Sequence, residues 1–482
     1  MKFCLAYYTV KITLLSLVLL NSISTQASEV EKFMAQLNAH YQNTTNIKAF
    51  SLTQRYLGRS DPYDSWDYKA PSRYTAFKVT QFDLDRKHYT ENVTHYFTGG
   101  MESDEVHFQN DTHSFRYSRN GAFYGKRVVK QSLNSFERLK NLYLMNIDFL
   151  AVRQLLSENN IKNSVFISSN TRLGLTKLTH NQESGSVIEY TFNNTPLRLI
   201  SIHNKTKQRL YTYDDYQSVH GLTFARSVMK YYNGDTKPTF IKHMENFEVI
   251  EKIAPERLKV PIGYGPIIPK NDKVLVSEEI APNLFLLTDS GAWRNILFRT
   301  NNNEVQVFGA PTSSEQSEKT IQHITEKFPN KKITSVYVTH PHGNHIAGLG
   351  SYAKIGALIR ADAYTIEAIK EYPPFSDQIH TFKFHTIEHE QSVDGVSFYV
   401  LENAHSKRQS FAFFNESGLI YQADFLQIPF DNTITKVLPA HTGAFIDFVR
   451  SKQLPVRRIV GHHFNNNISL KVMDKASQAN MM

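Results

Sequence analysis

Three histidines, His340, His342 and His345, fall within six positions of one another in the segment VTHPHGNHIAGLG at 338–350, with Asn344 between the last two. The segment continues an apolar, strand-like run, TSVYVTH at 334–340, and passes into a glycine-containing loop. A strand end followed by a tight loop can turn several imidazoles towards one point. Neutral imidazole is the commonest metal ligand among side chains and suits zinc at roughly 2.0–2.1 Å. Any one histidine taken alone reads better as a packing or surface residue. The set is what constrains the chain, because further ligand types recur at later strand ends: His405 in ENAHS, Asp424 in LIYQAD, and Gly461 and His462 in RRIVGHH.

Together these elements resemble, in order and spacing, the His-x-His-x-Asp-His pattern and later ligands of the metallo-β-lactamase superfamily. The resemblance covers residues 273–482 and implies an αββα sandwich of two sheets between helices. It implies a first metal site at His340, His342 and His405 and a second at His345, His462 and Asp424, with Asp424 bridging. His340, His342, Asn344, His405 and Asp424 are then the catalytic positions. The implied cofactor is zinc, one or two ions, with iron as the alternative. A metal lowers the pKa of bound water to roughly 7, which supplies hydroxide for attack on an acyl or phosphoryl centre.

Two positions depart from that pattern. Asn344 stands where the family usually has Asp; an amide offers a carbonyl oxygen but no charge, so the second site is expected to be weaker. Gly309, in VQVFGAP, stands where a supporting Asp is often found, which predicts a rearranged outer shell. Either His462 or His463 can ligate, and the Gly-His order favours His462. His323, His380, His385 and His389 read as surface or packing residues. His441, in PAHTGAF, lies in an expected loop able to reach the site.

The rest of the chain reads differently. Lys2 and Lys11, the apolar run Ile12 to Leu20 and the small residues of SISTQA form a cleavable signal peptide over 1–27, too short to span a bilayer comfortably. The expected location is therefore periplasmic or secreted. The single cysteine, Cys4, lies in that peptide, so the mature chain has neither disulfides nor thiolate ligands. The net charge of +9 is concentrated before residue 271, but no tight Lys/Arg cluster of the kind that binds nucleic acid is present.

Residues 28–254 begin with a helix over 29–43 and continue as short alternating strands, interrupted by helical periodicity at 133–158. The order helix, strands, helix, strands resembles the half-barrel of outer-membrane lipoprotein carriers, which implies a lipid-like ligand; the competing reading is an accessory β-domain with an ordinary packed core. The Pro-rich segment 255–272 reads as a linker. The chain as a whole is expected to be α+β, an exported metal-dependent hydrolase of a small ester, lactone, thioester, amide or phosphoester. The competing functions are an envelope binding protein with a degenerate metal site and a mononuclear iron persulfide oxygenase.

Overall fold

The computed structural model describes residues 29–97, 99–157, 165–170, 172–219, 221–268, 275–288, 294–310 and 312–479, so the signal-peptide segment lies outside the described residues. The protein is mixed α and β and rich in strand. No helix among the described residues is long and apolar enough to cross a membrane.

The N-terminal part is one sheet of 14 strands. Strand Ala49–Arg59 sits inside it, paired antiparallel with Arg73–Asp83 on one side and with Phe240–Ile250 on the other. The expected strands appear as Arg73–Asp83, His88–Tyr96, Val187–Asn194, Leu197–Asn204 and Leu222–Tyr232. The first helix spans 29–41. Its residues at helical spacing, Val30, Phe33, Leu37 and Tyr41, are all buried in one core with Phe50, Phe82, Phe149 and Phe192 from the sheet and the later helix. The expected helical stretch at 133–158 divides into Ser135–Leu144 and Asp148–Ser157. A turn at Met145–Ile147 lets each half put its own apolar stripe into that core, through Phe136, Leu139 and Tyr143 and through Phe149, Val152 and Leu155.

The Pro-rich segment is not a free tether where it is described. Leu258, Val260 and Tyr264 pack with Val106, Phe108, Phe115 and Val128 of the first sheet. Ile267–Ile268 then adds to that sheet as a parallel strand beside Val128–Lys130. Residues 269–272 of the expected linker lie outside the described residues.

The C-terminal part has a 7-stranded and a 5-stranded sheet. The two face one another across a shared core: Leu286, Leu297, Phe308 and Tyr337 from the first meet Phe398, Phe414, Tyr421 and Val460 from the second. Helices Ser314–Lys327, Leu349–Lys354 and Ala363–Glu371 cover the outer face of the larger sheet through Ile324, Tyr352 and Ile369. Ala440–Ser451 and Leu470–Gln478 cover the smaller one through Phe445, Ile446 and Met473. The larger sheet turns from antiparallel to parallel at Glu304–Phe308, which pairs parallel with Lys332–Tyr337. Parallel strands bring successive carboxyl ends to one edge, the usual place for a site in such sheets.

Candidate metal centre

Every candidate ligand follows the end of a strand. His340 and His342 lie just past Lys332–Tyr337, and His345 sits in the helical turn Gly343–Ile346. His405 follows Val396–Leu401, Asp424 follows Leu419–Gln422, and His462 and His463 follow Arg458–Gly461. The His405 loop is fixed by Asn403, whose Oδ1 accepts from the backbone N–H groups of His405 and Ser406 at 2.7 and 3.2 Å. Asp424 has φ +63°, a left-handed conformation unusual for a side chain other than glycine, and this aims its carboxylate into the histidines.

Two groups of possible ligand atoms result, His340, His342, His405 and Asp424 in one and His345, Asp424 and His463 in the other. Asp424 belongs to both. Its Oδ2 lies 2.8 Å from His345 Nε2, 3.4 Å from His405 Nε2 and 3.5 Å from His340 Nε2, and its Oδ1 lies 3.0 Å from His463 Nε2. His340 Nε2 and His405 Nε2 are 3.3 Å apart. Burial opposes a charge on His340, His342 and His345: it lowers the first to about 4 and takes the other two well below their usual value. Burial would raise the Asp424 carboxyl, but His463, His345 and the hydrogen bonds from His340 and His345 outweigh it and hold that carboxyl well below its ordinary range. Several neutral imidazoles around one carboxylate are a donor set that fits a divalent metal.

Outer contacts set the imidazole tautomers. His342 Nε2 is 3.1 Å from the Ser65 carbonyl, which can only accept, so Nε2 carries the proton and Nδ1 is left bare. His340 Nδ1 meets Thr339 Oγ1 at 3.0 Å, leaving Nε2 to face the cluster. The Ser65 contact comes from the N-terminal part. It belongs to a segment, Asp61–Lys69, that docks beside the site: Trp66 Nε1–H donates to Asn403 O at 2.7 Å, and Asp67 meets Lys407 and Tyr364, each at 2.9 Å. Asp64 lines the same cavity, and burial, then Asp61 and Asp424, push its carboxyl up to about 6.

In the second group the structure brings His463 to Asp424, where the Gly-His order favours His462. His462 Nδ1 lies 2.9 Å from Asn295 O, to which it donates, and 2.6 Å from Tyr421 Oη. Its Nε2 is buried with no hydrogen-bond partner among the described residues, 5.0 Å from His345 between ring centroids. Gly309 explains the arrangement. A Cβ there would lie 2.2 Å from Tyr421 Oη, so the hydroxyl occupies the space a supporting Asp side chain would need. Asn344 lines the cavity over the cluster.

His441 sits not in the expected loop but in the first turn of helix Ala440–Ser451, buried, with its ring 5.1 Å from that of His405. Burial, then His405, lower its pKa to about 3. His323 contacts Ser277 Oγ and His389 contacts Val400 O, and neither these two nor His380 and His385 fall in a ligand group. Sequence reasoning missed Ser65, Trp66, Tyr421 and Arg294, whose guanidinium meets Nε2 of His463. The only local signal for the first two is the run SDPYDSWDYKAP at 60–71, where turn residues and aromatics break the strand pattern.

No protein-family model matches the sequence, and no curated protein matches it. Part of the chain is similar to solved structures of metallo-β-lactamases. One from Hirschia baltica is 10% identical with a TM-score of 0.35, over 42% of this chain and 97% of that one. One from Erythrobacter litoralis, with β-mercaptoethanol in its active site, is 16% identical with a TM-score of 0.35, over 42% and 95%. The mono-zinc form of an enzyme from Pseudomonas aeruginosa is 13% identical with a TM-score of 0.35, over 43% and 96%.

Proposed function

We propose that this protein is an exported metal-dependent hydrolase whose residues 273–482 form a metallo-β-lactamase domain, carried behind a β-rich domain at 28–254 of half-barrel type. The observation that carries the reading is the buried cluster in which two ligand groups share Asp424. His340, His342 and His405 would hold one metal, zinc by preference for these donors, with Asp424 at its edge. His345, Asp424 and His463 would hold a second, helped by the Asn344 carbonyl. A bound divalent metal supplies a Lewis acid and an activated water at neutral pH.

The chain's own residues do the positioning. The Ser65 carbonyl keeps His342 in the tautomer that presents Nδ1, and the Thr339 hydroxyl on Nδ1 of His340 orients that ring with Nε2 towards the cluster. Asp424 would offset the charge of a bound metal and could accept a hydrogen bond from the attacking water, while Gln427 donates to its Oδ1 at 2.6 Å and fixes its plane. Hydrolysis forms the new acyl–oxygen bond from water and breaks the bond to the leaving group, which departs with a proton.

Metal analysis of the purified chain tests this. About one tightly held metal per chain is expected, rising towards about two in Asn344→Asp because a carboxylate replaces a neutral amide. His342→Ala should lose most of the metal. A gently purified protein with almost none, or a His342→Ala protein that keeps its metal, would overturn the proposal.

A further inference from the structure

A cavity of ≈ 580 Å³ opens directly over the cluster, and both parts of the chain line it. His342, Asn344, His405, Asp424 and His463 form its floor, whereas most of its wall comes from the N-terminal part. This volume falls in the range of pockets that enclose a drug-sized molecule. The wall is aromatic. Tyr74 and Phe97 have ring centroids 6.1 Å apart, and His95 stacks on Phe97 at 5.5 Å. Across the cavity Phe123 and Phe464 lie 6.0 Å apart. Trp66 stands between the wall and the His405 loop, its indole clamped by Asn403 O. Phe97 is 37% exposed, a large apolar side chain left facing solvent at the end of its sheet. A ligand that covers such area gains by taking it out of water.

The charges at this wall are unfavourable to an anion. Arg59 is tied to Asp235 at 2.6 Å. Asp61 and Asp64 line the same cavity. A substrate carrying a phosphate or carboxylate would meet these two carboxylates, and among the described residues the Lys/Arg side chain that lines the cavity, Arg59, is already tied to Asp235.

We infer that the N-terminal part is the specificity wall of the metal centre, and that it receives the aromatic or apolar body of an uncharged acyl substrate, an ester, lactone or amide, rather than an anionic phosphoester. This rests on the hydrolase reading for its chemistry but not for its binding. Among the described residues the aromatic side chains of this wall make no hydrogen bond to a proposed metal ligand, Trp66 donating instead to Asn403 O, so their effect belongs in KM and in the choice between substrates.

The test uses the metal-loaded full chain, with naphthyl acetate, vinyl acetate and bis-para-nitrophenyl phosphate as substrates and naphthylacetamide as a binding probe read by calorimetry. Phe97→Ala, at an exposed position where folding is little at risk, and Trp66→Ala should each lower the preference for naphthyl over vinyl acetate by about tenfold, mainly through KM. Both variants should weaken naphthylacetamide binding to a similar degree. An unchanged preference, or a phosphodiester hydrolysed better than naphthyl acetate, would overturn the inference. Binding of naphthylacetamide that Phe97→Ala abolishes, with no ester hydrolysed, would leave the pocket standing and remove the hydrolase reading. Hydrolysis with no binding of the probe and silent variants would do the reverse.

Discussion

At the scale of single residues, the site is shaped as much by a missing side chain as by those present. Gly309 has φ +102°, and a Cβ placed on it meets Tyr421 Oη at 2.2 Å and His462 Nδ1 at 2.9 Å. Both the backbone and the space therefore demand glycine. Gly309→Ala is expected to destabilise the protein by about 2 kcal/mol or more, since overpacking a full core and forcing a left-handed backbone act together. Removing the hydroxyl in the double variant with Tyr421→Phe should recover part of that loss, and urea melts of the four proteins in the cycle measure the coupling. Strict additivity would mean that the two groups do not compete for one space. The same contact holds His462 against Asn295 and leaves His463 facing Asp424. The Gly-His order could not reveal this, because the choice between adjacent histidines depends on a tyrosine about forty residues away in sequence.

At the scale of elements, the segment Asp61–Lys69 joins the two parts of the chain. It opens with the turn Pro62–Asp64, capped by Asp61 Oδ1 accepting from Tyr63 N–H, which fixes the exit of strand Ala49–Arg59. Tyr63 then donates to Ala368 O and stacks on Tyr68, while Asp67 is buried between Lys407 and Tyr364. Burial would raise the Asp67 carboxyl, but Lys407, the Lys69 N–H and Tyr364 together lower it. Asp67→Ala should cost about 2 kcal/mol, the worth of hydrogen bonds to a charged group. It should also weaken metal binding by about tenfold, because the Ser65 carbonyl would no longer hold His342 in place. Competition with a chromogenic chelator reads the second effect; a metal affinity equal to that of the parent would remove this segment from the site. Helices in the C-terminal part were unequally legible. The spacing of SEKTIQHITEKF predicts a helix at 317–328, and the helix begins three residues earlier at Ser314, where the Ser313 side chain caps it. PAHTGAF reads as a loop because it opens on proline and carries Thr442 and Gly443, yet Ala440–Ser451 is helical because Phe445, Ile446 and Val449 bury on the smaller sheet.

At the scale of the whole molecule, two cores are built separately, one under the 14-stranded sheet and one between and around the other two sheets. The first carries a buried charge group built around a lysine pair. Lys78 pairs with Glu91 at 3.0 Å, Tyr143 donates to Glu91 at 2.8 Å, and the Lys242 ammonium lies 4.4 Å from the Tyr143 ring centroid. Burial, then Lys78, lowers Lys242 from 10.5 to about 7, with Glu91 opposing and Lys230 adding to the shift. The folded chain thus favours the neutral amine. The unfolded chain binds the proton below 10.5, so this contribution is full above 10.5 and is lost as pH falls towards about 7. Lys242→Met should therefore stabilise the protein at pH 7 by about 3 kcal/mol, a gain that shrinks as pH rises towards the unfolded value. Denaturant melts at neutral and alkaline pH check it; an equal gain at both would assign the effect to packing alone.

The sequence by itself determined the ligand types, their order and their positions at strand ends, because an apolar strand running into a glycine loop is a local pattern and so are its histidines. It also marked Asn344 and Gly309 as departures, since each is a single position within such a pattern. Only the tertiary structure decided which of His462 and His463 faces Asp424, that His441 stands beside His405, and that Ser65, Trp66 and Phe97 from the other end of the chain complete the site. The Ser65 and Trp66 contacts join residues some 280 to 340 positions apart, whereas the choice between the two histidines and the His441 contact are made inside the C-terminal part, by Asn295, Tyr421 and His405. No periodicity or spacing encodes any of these, because they exist only once the sheets and helices have packed against one another.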